Sequence, residues 1–490
     1  MSHFRSRLIR VLEVALMTTL IGLGAVYAND IVGPSTTQTP YYLPAVPRLQ
    51  VKSILTVGDA VNGYRLVGIP DGLGAFDNGD GTFTLLMNHE LSSSQGITRT
   101  HGAKGAFISK WIIRKSNLEV LHGEDLIREV ALWNRNTGQY DPPTQGVTMG
   151  RFCSADLPPL SAFYHARTGR GYNGRIFMNG EEVSPEGRAF AHLLNGTSYE
   201  LPWLGKFSWE NSVAHPHTGV KTVVIGLDDS TGGQVYIYVG EKTTSNHPIE
   251  AAGLTNGVLL GVQVFGVPVE TDATVLNGPT PFSTYNFGDV SYLSGAELES
   301  LSTAHAVTAF QRPEDGAWDP RFSYRNDFYF VTTAGFNNRS RLWRLRFYDA
   351  AQPELGGTIE MLLDGTEGQK MMDNITVTRT GWVYIQEDPG NQAYLAKIWR
   401  YNIATDALSP VAQADPSRFT PGGPNFLTQD EESSGIIDMS SILGRGWFLF
   451  DVQAHYAIGD PELVEGGQLL ALYQPPRPGE VEEQAAVEGR

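Results

Sequence analysis

One short unit recurs six times along this chain, and that recurrence limits the fold more than any bulk property. Residues 372–388, "MDNITVTRTGWVYIQED", show its plan: a polar anchor, a small or apolar hexad, a turn with Gly, Asn or Pro, then an apolar strand ending in polar or acidic residues. The other copies are "PDGLGAFDNGDGTFTLLMNHE" from Pro70, a split unit from "FCSADLPP" at Phe152 to "GRIFMNGEE", and "WENSVAHPHTGVKTVVIGLDD" from Trp209. They continue with "PEDGAWDPRFSYRNDFYFVTT" from Pro313 and "EESSGIIDMSSILGRGWFLFDVQ" from Glu431. Further short strands follow most units, among them "GQVYIYVGEK" with "VLLGVQVFGV", and "KIWRYNI" with "SPVAQA". Four strands repeated six times predict an all-β chain folded as a six-bladed β-propeller.

The last three units start 59 residues apart, from Glu314 to Asp373 to Glu432. Earlier spacings are longer, so residues 91–150 and 241–310 are expected to leave the blades as loops or small subdomains. The final unit lacks an outer strand, whereas "RLQVKSILTVGD" near the N-terminus is a strand without a unit. Residues 48–59 are therefore expected to complete the last blade and close the ring, which removes an exposed edge. The propeller is placed at 48–474, between a loosely held Pro-, Thr- and Ser-rich segment at 29–47 and a flexible acidic tail at 475–490.

The formal net charge of −17 argues against nucleic acid and anionic membranes as partners, because no basic patch offsets it. Residues 1–28 read as a cleavable export signal, with Arg5, Arg7 and Arg10 ahead of an apolar stretch and Val26-Tyr27-Ala28 suited to signal peptidase. The single spacing of these arginines suggests the general secretion route. No later stretch reaches the ~18 apolar residues of a membrane span. A periplasmic or secreted monomer without a stable membrane span is the expectation. Cys153 is the single cysteine and so forms no internal disulfide; it is a small buried hydrophobe or a ligand.

In a propeller the innermost strand of every blade lines the central channel, so equivalent positions of the six repeats converge on one axis. The converging set is expected to include Glu90, Glu181, Glu182, Glu210, Asp228, Asp229, Glu314, Glu387, Asp388 and either Glu431 or Glu432. Two like charges ~4 Å apart repel by about 4 kcal/mol at an effective dielectric near 20. Several such pairs would consume the ~5–15 kcal/mol by which a fold is typically stable. Bound cations or protonation must offset this. Oxygen donors favour Ca²⁺, Mg²⁺ or ferric iron, while one thiolate among them shifts its subsite toward a transition metal. The plain alternative is that the acids cap strands by accepting backbone N–H bonds. Weaker signals are read as structural: "DNGDGT" from Asp77 as a hairpin turn, and His215 and His217 as turn residues. His89, beside Glu90, is read as a candidate to support the ligands. No GxSxG, P-loop or CxxC motif is present.

"NHE" at 88, a Cys followed downstream by "GEE", "WENSVAHP" leading to "LDD", "RPEDGAWDP" at 312 and "DNITV" leading to "QED" at 386 together resemble the PhoX-type alkaline phosphatase family of exported bacterial proteins. The likeness spans about residues 65–455. It implies a six-bladed propeller whose channel holds iron and calcium and hydrolyses phosphate monoesters. By that resemblance Cys153 is a thiolate on iron, and Glu90, Glu181, Glu182, Glu210, Glu314 and Glu387 are carboxylate ligands. Asp228, Asp229 and Asp388 are additional ligands, while Arg312 and Asn374 face the phosphate of a small-molecule ester. Between Cys153 and Glu181 the chain departs from the family's Gly-rich, Trp-containing pattern. Two other readings compete: a calcium-dependent lactonase or esterase propeller, and a non-catalytic exported propeller holding structural calcium.

Overall fold

The computed structural model describes residues 31–477 together with Glu480 and Glu482; the expected export signal at 1–28 and most of the expected tail lie outside the described residues. Blade 1 consists of Pro70–Asp77, Thr82–His89, Phe107–Arg114 and Val120–Asp125. In blade 2 an irregular segment, 152–156, bridges to Ile176–Gly180 and its neighbour Glu181, followed by Ala189–Leu193 and Thr197–Glu200. Glu129–Ala131 adds a parallel edge there. Blade 3 comprises Trp209–Ala214, Lys221–Asp228, Val235–Glu241 and Val258–Val264, and blade 4 Pro313–Trp318, Asp327–Thr332, Arg341–Phe347 and Gly357–Leu363. Blade 5 is Met372–Val377, Trp382–Glu387, Lys397–Asn402 and Ala407–Ala414.

Blade 6 takes Glu431–Asp438, Trp447–Ala457 and Glu465–Tyr473 from the C-terminal end and Gln50–Thr56 from the N-terminal end, antiparallel to Glu465–Tyr473. The ring is thus closed by an N-terminal strand. Glu431–Asp438 then touches Pro70–Asp77 of blade 1, completing the circle of innermost strands.

The core is divided into six apolar layers, one between each pair of adjacent blades. This follows from strand geometry, because successive side chains point to opposite faces and a blade is covered on both. Phe328 and Phe330 enter the layer shared with blade 3, while Tyr329 and Val331 enter the layer shared with blade 5. Phe448 and Phe450 face blade 5 and Leu449 faces blade 1. Strands buried on both sides read as unbroken apolar runs, which is why the second strand of each unit stands out in the sequence.

Two expectations are corrected. Residues 91–150 and 241–310 do not leave the blades as a whole: 107–125 supplies the outer half of blade 1, and Val258–Val264, within the expected strand "VLLGVQVFGV", is the outer strand of blade 3. Within the second stretch Thr280–Gly288 pairs with Val258–Val264 and with Gly357–Leu363, fusing blades 3 and 4 into one nine-stranded sheet. Nor are residues 31–47 loosely held throughout. Tyr42–Pro44 pairs with 412–414 as a fifth strand of blade 5, and Tyr41 and Tyr42 are buried against Phe419 and Phe450. Aromatic burial there outweighs the polar composition that suggested flexibility. No helix among the described residues is long and apolar enough to cross a membrane.

Candidate metal centre

Each innermost strand places its second residue at the same height of the channel. These residues are Asp71, Cys153, Glu210, Glu314, Asp373 and Glu432, and all six line one cavity of about 370 Å³. Beside them the second strand of each blade ends in a repeated backbone contact. The N–H groups of Glu90, Glu182, Asp229, Thr333, Asp388 and His455 donate to the carbonyls of Ile69, Arg151, Ser208, Arg312, Met371 and Asp430, at 2.8–3.0 Å. Five of the six donors, all but Thr333, add side chains to the cavity lining.

Sequence pairs such as Glu181-Glu182, Asp228-Asp229 and Glu387-Asp388 are divided by this geometry. Their first members lie opposite the first residues of the innermost strands, as Phe152 with Glu181, Trp209 with Asp228 and Met372 with Glu387. Alternation along a strand then turns the first member into the blade and the second toward the axis. Glu181, Asp228 and Glu387, expected at the axis, are therefore corrected to blade anchors. Glu181 is held by Arg188 Nε at 2.6 Å and Nη2 at 2.7 Å and accepts the Gly150 N–H. Asp228 accepts from the Ser208 N–H and the Ser230 hydroxyl. Glu387 accepts from the Lys370 and Lys397 N–H groups, the Tyr394 hydroxyl and Trp399 Nε1, at 2.7–3.0 Å. His89 is a buried anchor of the same kind, between the Gly68 carbonyl and the Ser109 hydroxyl.

Asn374 is corrected too. Its Oδ1 accepts the Gly435 N–H at 2.8 Å and its Nδ2 donates to the Ser154 hydroxyl, which in turn donates to Glu210. With Asn211 and Asp315, bonded at 2.6 Å, these side chains form a polar plug beneath the acidic cavity. The plug divides the channel from a second cavity of about 200 Å³ that Asn374 lines instead.

Eleven carboxyl groups, one thiol, two guanidinium groups and one imidazole line the acidic cavity. Arg151 pairs with Glu90 at 2.6 Å and with Glu182; Arg312 pairs with Asp229 at 2.7 Å and Glu314 at 3.0 Å. His455 lies between Glu465, at 2.8 Å, and Glu432. Although burial opposes its charge, hydrogen bonds to Glu432 and Glu465 raise its pKa to about 11. These three cations do not balance the acids. Burial, reinforced by neighbouring carboxylates, holds Asp71, Glu182, Glu314 and Asp373 well above the carboxylate range and pushes Glu210 up to about 8. Burial and the charge of Glu182 likewise push the Cys153 thiol up.

The donor set fits cations. Ligand atoms of Asp71, Glu90 and Cys153, of Cys153, Glu182 and Glu210, and of Glu210, Glu314 and Asp373 lie within 4.8 Å of one another in each group. Oxygens on opposite sides of one Ca²⁺, each ~2.3–2.6 Å away, are about that far apart. Cys153 belongs to two of the groups, its Sγ 2.8 Å from Glu182 Oε2. Just below, Asp451 is fully buried with neither carboxylate oxygen hydrogen-bonded among the described residues, and Gln453 Oε1 is equally unpartnered. Groups left in this state carry a penalty of ~1–3 kcal/mol or more unless a ligand completes them.

Of the sequence candidates, Glu90, Cys153, Glu182, Glu210, Asp229, Glu314, Asp388, Arg312 and, of the pair Glu431 and Glu432, Glu432 meet at the cavity, while Glu431 accepts the Ala396 N–H within the blades. Asp71, Asp373, Arg151, Asp430, Gln453, His455 and Glu465 join them, unlisted beforehand. Asp71 and Asp373 had a usable signal, since they hold the repeat position of Glu210 and Glu314. Arg151 had one as well, since it holds the repeat place of Arg312, whereas His455 had none, being unlike its counterparts in the other units.

No protein-family model matches the sequence, and no characterised protein matches it at a significant level. Solved structures do. Pseudomonas fluorescens PhoX in complex with vanadate, a transition-state analogue, aligns over 91% of this chain and 98% of its own, with a TM-score of 0.64 at 10% identity. A gluconolactonase from Xanthomonas campestris aligns over 89% and 94%, with a TM-score of 0.36 at 9% identity. At such identities the first of these likenesses establishes the propeller fold.

Proposed function

We propose that this chain is an exported, metal-dependent phosphatase that hydrolyses phosphate monoesters of small molecules within its acidic cavity. One observation carries the reading: six residues at a single repeat position, five carboxyls and one thiol, converge where cations are the fitting counter-charge. The order of motifs and the PhoX-like fold support it.

Glu210, Glu314 and Asp373 offer an all-oxygen group suited to calcium. Cys153 offers mixed sulfur–oxygen groups suited to iron, one with Asp71 and Glu90 and one with Glu182 and Glu210. Asp229 and Asp388 complete the acidic wall. Bound cations would lower the pKa of a water and screen phosphate oxygens. The chain's own contribution is positional. Glu387, Glu181 and Asp228 fix the strand ends that present Asp388, Glu182 and Asp229. Arg312, held through Nε and Nη2 by Asp229 and through Nη2 by Glu314, would meet a phosphoryl oxygen through Nη1. The plug of Ser154, Asn211, Asp315 and Asn374 closes the floor.

Purified protein loaded with calcium and iron should hydrolyse a generic aryl phosphate and lose activity with Glu314→Gln or Cys153→Ser. Full activity in both variants would sink the assignment. A calcium-only propeller, hydrolytic or not, is the second reading, favoured by the excess of oxygen donors. It predicts calcium without iron by elemental analysis and no effect of Cys153→Ser.

A further inference from the structure

Arg151 and Arg312 hold equivalent places, each the residue just before the innermost strand of its blade, in blades 2 and 4. Both have left-handed backbone, with φ of 41° and 61°. Ile69 and Met371 share that conformation at the same place in blades 1 and 5, so the turn belongs to the repeat while the guanidinium groups belong to these two blades alone. Both line the acidic cavity. Their side chains are 47% and 31% exposed, whereas their carboxylate partners Glu90, Glu182, Asp229 and Glu314 are 5–11% exposed. The guanidinium groups therefore stand on the solvent side of the acids.

We propose that Arg151 is a second oxyanion-binding residue, meeting the phosphoryl group from blade 2, two blades round the ring from Arg312, and taking the role that the resemblance gave to Asn374. The inference rests on the phosphatase reading. Asn374 is turned away from the acidic cavity: its oxygen and nitrogen both bond within the plug, and it lines the second cavity instead. An anion approaching a wall of carboxylates is repelled unless cations meet it first. Arg151 contacts both of its carboxylates through Nη2 and also bonds the Cys153 thiol, and its half-exposed guanidinium has N–H groups beyond these to offer to oxygens. Planar paired donors match a phosphoryl group from either side. His455, enclosed by Glu432 and Glu465, is not placed to do so.

The test is calorimetric titration of the metal-loaded full chain with inorganic phosphate, alongside elemental analysis of the same samples. Arg151→Gln should weaken phosphate binding by about tenfold or more with metal content unchanged, Arg151→Lys should recover part of the loss, and Arg312→Gln should weaken binding similarly. Affinity within about twofold of wild type in Arg151→Gln would overturn the proposal. So would a parallel loss of bound metal, which would make Arg151 a neutralising partner of Glu90 and Glu182. A wild-type protein that holds its metals but binds no phosphate would refute the phosphatase reading itself, and this inference with it.

Discussion

Glu387 and Asp388 are consecutive in the chain and face opposite sides of one strand end. Glu387 is sealed inside blade 5 by donors from Lys370, Tyr394, Lys397 and Trp399, while Asp388 stands at the acidic cavity. Their roles separate by experiment. Glu387→Ala leaves one buried and three part-buried donors without their acceptor and should destabilise the metal-free protein by about 3–5 kcal/mol in urea unfolding. Asp388→Asn should leave that stability within about 1 kcal/mol of wild type and weaken metal binding instead. Equal losses of stability in both variants would erase the distinction.

Stability without metal should fall as pH rises. Glu210 titrates near 8 in the folded chain because burial disfavours its charge, against an ordinary value of 4.5. The folded state then holds the proton more tightly than the unfolded state. Its favourable contribution is full below about pH 4.5 and lost as pH climbs through 8. Buried Asp156 and Asp228, each raised to about 7, act in the same direction. Melting of chelator-treated protein should therefore show a lower Tm at pH 8.5 than at pH 5.5, and saturating calcium should narrow the difference. A Tm that rises with pH in the chelated protein would contradict this.

Closure of the ring rests on Gln50–Thr56. Leu55 is fully buried in the layer between blades 6 and 1. Leu55→Ala should cost about 2–5 kcal/mol, measured by urea unfolding. Deleting residues 31–56 should bare the Glu465–Tyr473 edge and produce concentration-dependent association in light scattering. A monodisperse deletion variant would show that the edge is protected some other way.

Asn374→Ala removes a link in the plug rather than a contact with the anion. It should lower stability by about 1–3 kcal/mol while phosphate affinity of the metal-loaded protein stays within about twofold. A large loss of phosphate affinity at unchanged stability would return Asn374 to the role the resemblance suggested.

Repeat positions were readable from the sequence because each residue's place along a repeat maps onto height in the channel. Glu210 and Glu314 were found that way, and Asp71, Cys153 and Asp373 share their position. The closing strand was readable because one unit lacked a strand and one strand lacked a unit. Which acid of each pair faces the axis was not readable. That choice depends on strand register, and a shift of one residue exchanges the two faces. Glu181, Asp228 and Glu387 were misplaced by that single step.

The sequence by itself determined a six-fold all-β ring with acids at a recurring place, since alternation and repeat length are local properties of the chain. Tertiary structure alone decided that Asn374 would plug the channel and that His455 would enter the acidic wall. Those outcomes depend on which side chains from different blades share one small space, and no single repeat carries that information.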